Sequence, residues 1–438
     1  MKRLFAGPAL AAALAAITFS AFAQAPAVGP AAGAGAASWL GRWDGRLEIG
    51  EGGMPFSVRI VEAGALLDLP GEELYGYPSA SAEASADGLR LAFRFGGGLL
   101  TLTGGLEGGS VSGAFSQGAA GGAFSMERSA APAAPGTARV VRGADGSALY
   151  GTLLEPTGTG RPPLVILHAG LGAADRDGNN YASRGRHDAL RALGEALAPR
   201  GVASYRYDKR GSGESAWLVP SEADQSYEAW IADLAAMVAE FGRSGRYSGV
   251  WLLGLNDGAA IAAAAANSLR AAGSPVAGLV VACASADGVR DAYAKAVARA
   301  PEGLRAEGEA LVASLSAGSI VDSVSSYYAE AFRPSLQPYL IEAFARDLET
   351  ELAAYAGPCL LVQGNMDLQA TLADLLALRA TRPDALVAMP LRMNHVLKDV
   401  SQDVEDNRAA FADPSYPVSA ELVDAITGFI EGTFVGIP

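Results

Sequence analysis

Val250-Trp-Leu-Leu-Gly-Leu-Asn-Asp-Gly258 decides the reading of this chain, together with the alanine-rich stretch that follows it. An apolar run enters, a sharp turn is expected at Gly254-Leu255-Asn256-Asp257-Gly258, and a helix leaves over 258–272. This is the Gly-x-Ser-x-Gly frame of a nucleophile elbow, with Asn256 where the serine belongs. The two glycines let such a turn pass close to neighbouring strand and helix while the central side chain projects from the sheet edge. The central residue of an elbow is held in a strained conformation with positive φ. Asparagine tolerates that region better than most other residues with a side chain.

Outward from the elbow, buried-type strands alternate with helices. Strands are expected at 148–154, 164–168, 202–207, 250–253, 279–283, 359–363 and 385–389, and helices at 187–199, 226–241, 258–272, 368–381 and 418–433. That alternation predicts a mostly parallel sheet covered on both faces. Between the strands at 279 and 359 lies an insertion, 286–356, longer than ordinary loops. Its pattern is helical and it carries Tyr327, Tyr328, Phe332, Tyr339 and Phe344. Two readings stay open: a helical cap over a site, or extra packed helices whose aromatics are core.

Asp367 follows the strand at 359 and His395 the strand at 385, so elbow, acid and histidine come in the chain order of this type of site. A carboxylate at Asp367 would orient the imidazole, and His395 would act as base. Taken singly, Asp367 would cap the next helix and His395 would be an ordinary loop histidine. His168 ends a strand and reads as structural support. His187 stands at a helix start and reads as a solvated or capping residue.

Further stretches carry a family resemblance: Ala169-Gly-Leu-Gly172, Asp175-Arg-Asp-Gly-Asn179, Tyr207-Asp-Lys-Arg-Gly-Ser-Gly-Glu-Ser215, Met393-Asn-His-Val-Leu-Lys398, and Asp413-Pro414 with Pro417. With these, residues 148–434 resemble the bacterial α/β-hydrolases of the secreted esterase type that carry an extra N-terminal domain. The resemblance implies an α/β-hydrolase fold, in which 286–356 would be the helical cap insertion of the first reading, and hydrolysis of a small-molecule carboxylic ester by a triad containing Asp367 and His395. It also implies an oxyanion hole from the backbone N–H groups of Asp257 and Leu171. The departure is at the elbow. The family shows Gly-His-Ser-Glu-Gly, and this chain shows Gly-Leu-Asn-Asp-Gly.

A carboxamide has no proton that His395 could remove to make a useful nucleophile, so acyl transfer through a serine ester is closed. The amide would instead bond His395 or fill the oxyanion hole with its own oxygen. Three readings follow: a degenerate esterase that binds an ester or acyl ligand or a partner without turnover; a hydrolase using another nucleophile, such as water activated by His395; and deamidation of Asn256 to aspartate. Asn followed by Asp is not the fastest deamidating pair.

Residues 38–128 differ in character. Phe56, Val58 and Ile60 alternate with small or polar residues, as do Leu89, Leu91, Phe93 and Phe95, and glycine clusters punctuate the runs. Period two with glycine turns predicts a small all-β domain of barrel or sandwich type, a packing domain or a binding module whose ligand the residues do not name. Residues 129–137 read as a linker, with the α/β domain running over 138–438.

The first 23 residues read as a signal peptide: Lys2 and Arg3, an apolar run over 10–22, then Ala21-Phe-Ala23 before Gln24. Residues 24–37 form an Ala/Gly/Pro-rich lead-in. The run is too short for a comfortable membrane span, so the mature protein is expected to be exported, periplasmic or extracellular, with no stable span. Cleavage takes the net charge from −14 to −16. An acidic chain without a basic patch is repelled by nucleic acid and anionic lipid. Gly211 and Gly213 lack the third spaced glycine of a dinucleotide site, and Asn180 stands where a calcium loop starting at Asp175 needs glycine. No cofactor and no metal is therefore expected. Cys283 and Cys359 fall at opposite ends of two strands that, as parallel neighbours, would hold the sulfurs on the order of 10 Å apart, so free buried thiols are expected rather than a disulfide.

Overall fold

The computed structural model describes residues 38–49, 52–86, 88–95, 98–130, 134–158, 160–170 and 172–436. The expected signal peptide, the lead-in and Leu171 lie outside the described residues. Among those residues no helix is long and apolar enough to cross a membrane.

The N-terminal part is a nine-stranded antiparallel sheet. Its strands are β1 Gly41–Leu47, β2 Met54–Val61, β3 Gly64–Leu69, β4 Leu74–Pro78, β5 Ser81–Ala84, β6 Leu89–Phe95, β7 Gly98–Glu107, β8 Ser110–Gln117 and β9 Ala120–Arg128. They lie in the order β4-β3-β2-β1-β9-β8-β7-β6-β5. Gly108 and Gly109, with φ of 59° and 93°, make the two-residue turn between β7 and β8. Two consecutive positive φ values are what a tight hairpin demands. The sheet closes on itself between its two edges, because Ser79 N–H donates to Ala65 on β3 (2.7 Å) and Ala80 N–H to Ala92 on β6 (2.7 Å). Of the two shapes expected, the closing bonds select the barrel. Trp43, Val58, Leu67, Phe93, Val111 and Phe124 fill its interior.

The second sheet holds β10 Thr137–Arg142, β11 Ala148–Leu154, β12 Leu164–His168, β13 Ala203–Tyr207, β14 Val250–Leu255, β15 Gly278–Ala282, β16 Cys359–Val362 and β17 Leu386–Ala388. The order is β10-β11-β13-β12-β14-β15-β16-β17. β10–β11 and β11–β13 are antiparallel pairs, and every later pairing from β13 to β17 is parallel. Strand β10 was not expected. Only Val141 of its six residues is buried, so Thr137–Arg142 carries no alternation to read, and the strand begins inside the stretch taken for linker. Alternate residues of the central strands feed two cores. Ile166, Leu252 and Val281 meet α2 (Tyr227–Arg243) and α3 (Gly258–Ala271) on one face, while Leu167, Leu253 and Val280 meet α1 (Ala189–Leu197) on the other.

The insertion folds as α4 Val289–Ala298, α5 Glu302–Ser316, α6 Gln337–Phe344 and α7 Leu348–Ala354. Tyr328, Phe332, Tyr339 and Phe344 are buried, Tyr293 meets the rings of Phe332 and Phe344 at 5.1 and 5.4 Å, and Tyr339 meets Trp230 of α2 at 5.6 Å, so these aromatics are core, continuous with that of the sheet. α8 (Leu372–Thr381), α9 (Val404–Ala409) and α10 (Ala420–Glu431) complete the chain, α10 packing on the same face as α1. Cys359 lies in register with Leu279, four residues before Cys283, and both thiols are free and buried.

The barrel is bonded to the α/β part through side chains. Trp217 Nε1–H donates to Ser79 O at 3.1 Å, at the point where the barrel closes. Tyr181 stacks edge-on against Tyr77 at 5.4 Å, and Arg59 pairs with Glu214 at 3.2 Å. Trp217→Ala removes a half-buried indole from this contact and should cost about 2 kcal/mol. Limited proteolysis should then cut the 129–136 connection several-fold faster than in the parent; an unchanged cleavage rate would show that the contact does not hold the two parts together.

Candidate active site

The elbow forms where β14 hands over to α3. Asn256 sits at φ 51°, and its N–H is anchored on Ala282 O at 2.9 Å. The flanking glycines answer close backbone contacts. A Cβ on Gly254 would stand 2.4 Å from Ala259 Cα, and one on Gly258 would stand 2.6 Å from Ala169 O. Neither neighbour can yield, because both are main chain.

Asp367 and His395 come together from two loops. The His395 Nδ1 lies 2.9 and 3.1 Å from the two oxygens of Asp367. A carboxylate accepts, so the proton sits on Nδ1 and Nε2 is left as the acceptor. Nε2 has no hydrogen-bond partner among the described residues. The His395 loop is tied from inside. Asn394 Oδ1 accepts the N–H groups of Val396 and Lys398, Asn394 Nδ2 reaches Asn407 Oδ1 at 3.3 Å, and Asn407 Nδ2 donates to Met366 O at 2.6 Å, one residue before Asp367. The Phe411 ring lies parallel to the imidazole at 6.4 Å.

Asn256 borders two cavities. One, of about 260 Å³, is shared with His395, His187, Gly170 and Phe411. The other, of about 360 Å³, is walled by Ser285, Gln369 and residues Val289, Ala292 and Lys295 of α4, so the insertion contributes a wall. The Asn256 carboxamide makes no hydrogen bond among the described residues; the amide–imidazole bond left open by the sequence is not formed. The Asp257 N–H has no backbone partner among the described residues and stands at the start of α3, where the helix dipole favours negative charge.

Lys209, within Tyr207–Ser215, has a role that the sequence does not show. It is fully buried, donates to Ala169 O at 3.2 Å and to Gly170 O, and lies 4.4 Å over the Trp230 ring. It therefore fixes the loop whose Gly170 passes the elbow so closely that a Cβ would stand 3.1 Å from Asn256 Cβ. Burial pulls the Lys209 ammonium down to about 7, against the attraction of Asp257. Burial also raises the Asp257 carboxyl, with Lys209 opposing. A lysine buried among carbonyls was the available signal, and it needed the β13–β12 pairing to become visible. Asn394 and Asn407 have no sequence signal, because a bond between a loop and α9 leaves no spacing to read.

His168 is fully buried, its Nδ1 2.6 Å from the Tyr207 hydroxyl, and burial together with Lys209 holds it well below the ordinary histidine range. It supports the turn, as a Gly258 Cβ would strike its ring. His187 Nδ1 accepts the Ala189 N–H at 3.1 Å, a capping bond at the start of α1.

A sheet that delivers an elbow after β14, a carboxylate after β16 and a histidine after β17 defines the class: an α/β-hydrolase. Residues 185–418, more than half of the chain, match the family described as serine aminopeptidase, S33 (Hydrolase_4), and the protein belongs to that family. No curated protein matches it. Among solved structures it is similar to Est1E from Butyrivibrio proteoclasticus, at 18% identity over 68% of this chain and 98% of that one, with a TM-score of 0.43. It is likewise similar to a bromoperoxidase from Bacillus anthracis, at 18% identity over 67% of this chain and 100% of that one (TM-score 0.40). An esterase from Exiguobacterium antarcticum is 15% identical over 67% of this chain and 100% of its own (TM-score 0.40).

Burial pulls His187 down from 6.5 to about 4. Between those values the unfolded chain binds more protons than the folded one, so stability rises with pH through the window and falls as pH drops from 6.5 to 4. His187→Asn keeps an acceptor for the Ala189 N–H and removes the titration. Urea unfolding at pH 7 and pH 4.5 should show the acid loss reduced by about 1–2 kcal/mol in the variant, allowing for the ring's partial contact with solvent; equal losses would mean that the ring is protonated freely in the fold.

Proposed function

We propose that this protein is an exported relative of carboxylic-ester hydrolases that holds a small ester or acyl ligand in the cavities around Asn256 without serine-type turnover. The observation that carries the reading is the pairing of an assembled Asp367–His395 couple with a carboxamide at the nucleophile position. In the family's chemistry the histidine takes a proton from a serine hydroxyl, which then attacks the carbonyl. Asn256 offers no such proton. The roles of Asp367 as orienting acid, His395 as base, and the Asp257 and Leu171 N–H groups as oxyanion donors are those of the ancestral reaction. In this chain they become polar contacts for a bound acyl group. The leader over 1–23 supports export, to the periplasm or beyond.

A second reading has one observation in its favour. His395 Nε2 is unpartnered among the described residues and its ring borders the 260 Å³ cavity, so a water placed there would meet a base. Slow hydrolysis by activated water would follow.

The discriminating experiment is Asn256→Ser, assayed with p-nitrophenyl acetate and butyrate beside the parent, with intact mass confirming that Asn256 is not deamidated. The parent should show little turnover. The serine variant should gain roughly 10²-fold or more, and the gain should vanish on adding His395→Ala. Robust parent turnover that His395→Ala abolishes would overturn the non-catalytic reading in favour of activated water. No gain in the serine variant would mean that Leu255 and Asp257 have altered the site as well.

A further inference from the structure

A third cavity, of about 440 Å³, opens at the mouth of the barrel, with neither Asn256 nor His395 in its lining. Leu47, Leu69, Leu100 and Phe115, all buried, line its depth, with the half-buried Met54, Leu74 and Phe95 nearer the rim. That size and lining lie in the range of sites for small apolar ligands, and barrel mouths are common places for them. Its outer wall comes from the other sheet's domain: Tyr181, Ala182, Ser183 and Arg184 close over it, fixed by the Tyr77–Tyr181 ring contact and by Gly185 N–H donating to Glu73 O at 2.8 Å. Ser183 and Arg184 border the His395 cavity as well. One short segment therefore separates the two spaces.

The polar groups around the barrel cavity are Glu72, Glu73, Gln117, Ser183 and Arg184. Arg184 is the one cation among them. Its guanidinium makes no hydrogen bond or ion pair among the described residues. An apolar chamber with an unpaired cation at its lip matches a linear acyl chain whose carbonyl or carboxylate end is held by the arginine.

We infer that the barrel is a second binding site, for a medium-length acyl chain seated among Leu69, Leu100 and Phe115 with its oxygen end on Arg184. Either a free fatty acid or an acyl ester supplies that end. The site is separate from the reading of Asn256 given above, and occupancy of the barrel bears on the His395 cavity through the shared Ser183–Arg184 wall.

Calorimetric titration of the full chain with hexanoate, octanoate and decanoate below their micelle concentrations tests it, with methyl decanoate as the uncharged counterpart. One equivalent should bind in Gln369→Trp, beyond whatever the Asn256 cavities hold in the parent, with affinity rising about fourfold per added methylene. Arg184→Ala should weaken decanoate about tenfold. Met54→Trp and, independently, Leu74→Trp should fill the half-buried rim and abolish the dependence on chain length. Gln369→Trp, which crowds both cavities around Asn256, should leave decanoate binding in place. Tighter decanoate than methyl decanoate assigns the free acid, and the reverse order assigns the ester; both support the site. No saturable binding, or binding lost in Gln369→Trp and unchanged in both rim variants, would overturn it. The outcome at Asn256→Ser has no bearing on these arms.

Discussion

The turn at Asn256 works because main chain is packed against main chain on both sides of it. Gly254 lies against the first turn of α3, Gly258 lies against Ala169 and His168, and Gly170 comes back against Leu255 and Asn256. Two segments distant in sequence, 168–170 and 254–259, are thus held at contact distances that no side chain could share. The close approach sets where the oxyanion loop runs, which amides of α3 are left unpaired, and how far Asn256 stands from the loops bearing Asp367 and His395. Lys209 belongs to the same constraint, because its bonds to Ala169 O and Gly170 O prevent the loop from relaxing away.

The site is held by polar bonds inside a poorly solvated region. Lys209 and Asp257 are each pushed towards neutrality by burial and each draws the other back towards charge. Such a pair is a weak source of stability, since the cost of removing two charges from water offsets their attraction. The geometric tie is made by Lys209 alone, whose bonds to Ala169 O and Gly170 O hold β13's exit against the loop beside the elbow. The Asn394–Asn407–Met366 chain serves the same end for the acid and histidine loops, satisfying buried amides while fixing the imidazole.

Legibility followed physical cause. Leu164–His168 was readable because both its faces are buried and apolar runs have few other uses, and Ala148–Leu154 by its alternation; both fall at the expected residues, and the positive φ at position 256 was implied by the motif. Strand β10 escaped because an exposed edge hairpin leaves no hydrophobic signature. The insertion's aromatics were ambiguous, since stripe and core share a composition, and the structure divides the roles: α6 rings pack inward while α4 faces Asn256. Lys209, Arg184 and the barrel cavity were beyond sequence, because each depends on which distant segments meet.

Asparagine fits the left-handed turn without disturbing what surrounds it. Folding quality control monitors stability and cannot sense whether position 256 bears a hydroxyl or a carboxamide, so chains carrying either would mature, persist and accumulate alike. Selection on the fold and selection on the chemistry are therefore separable at this residue. A substitution at this turn acts on what the pocket does to a ligand without acting on whether the pocket exists, so the two properties are open to refinement independently.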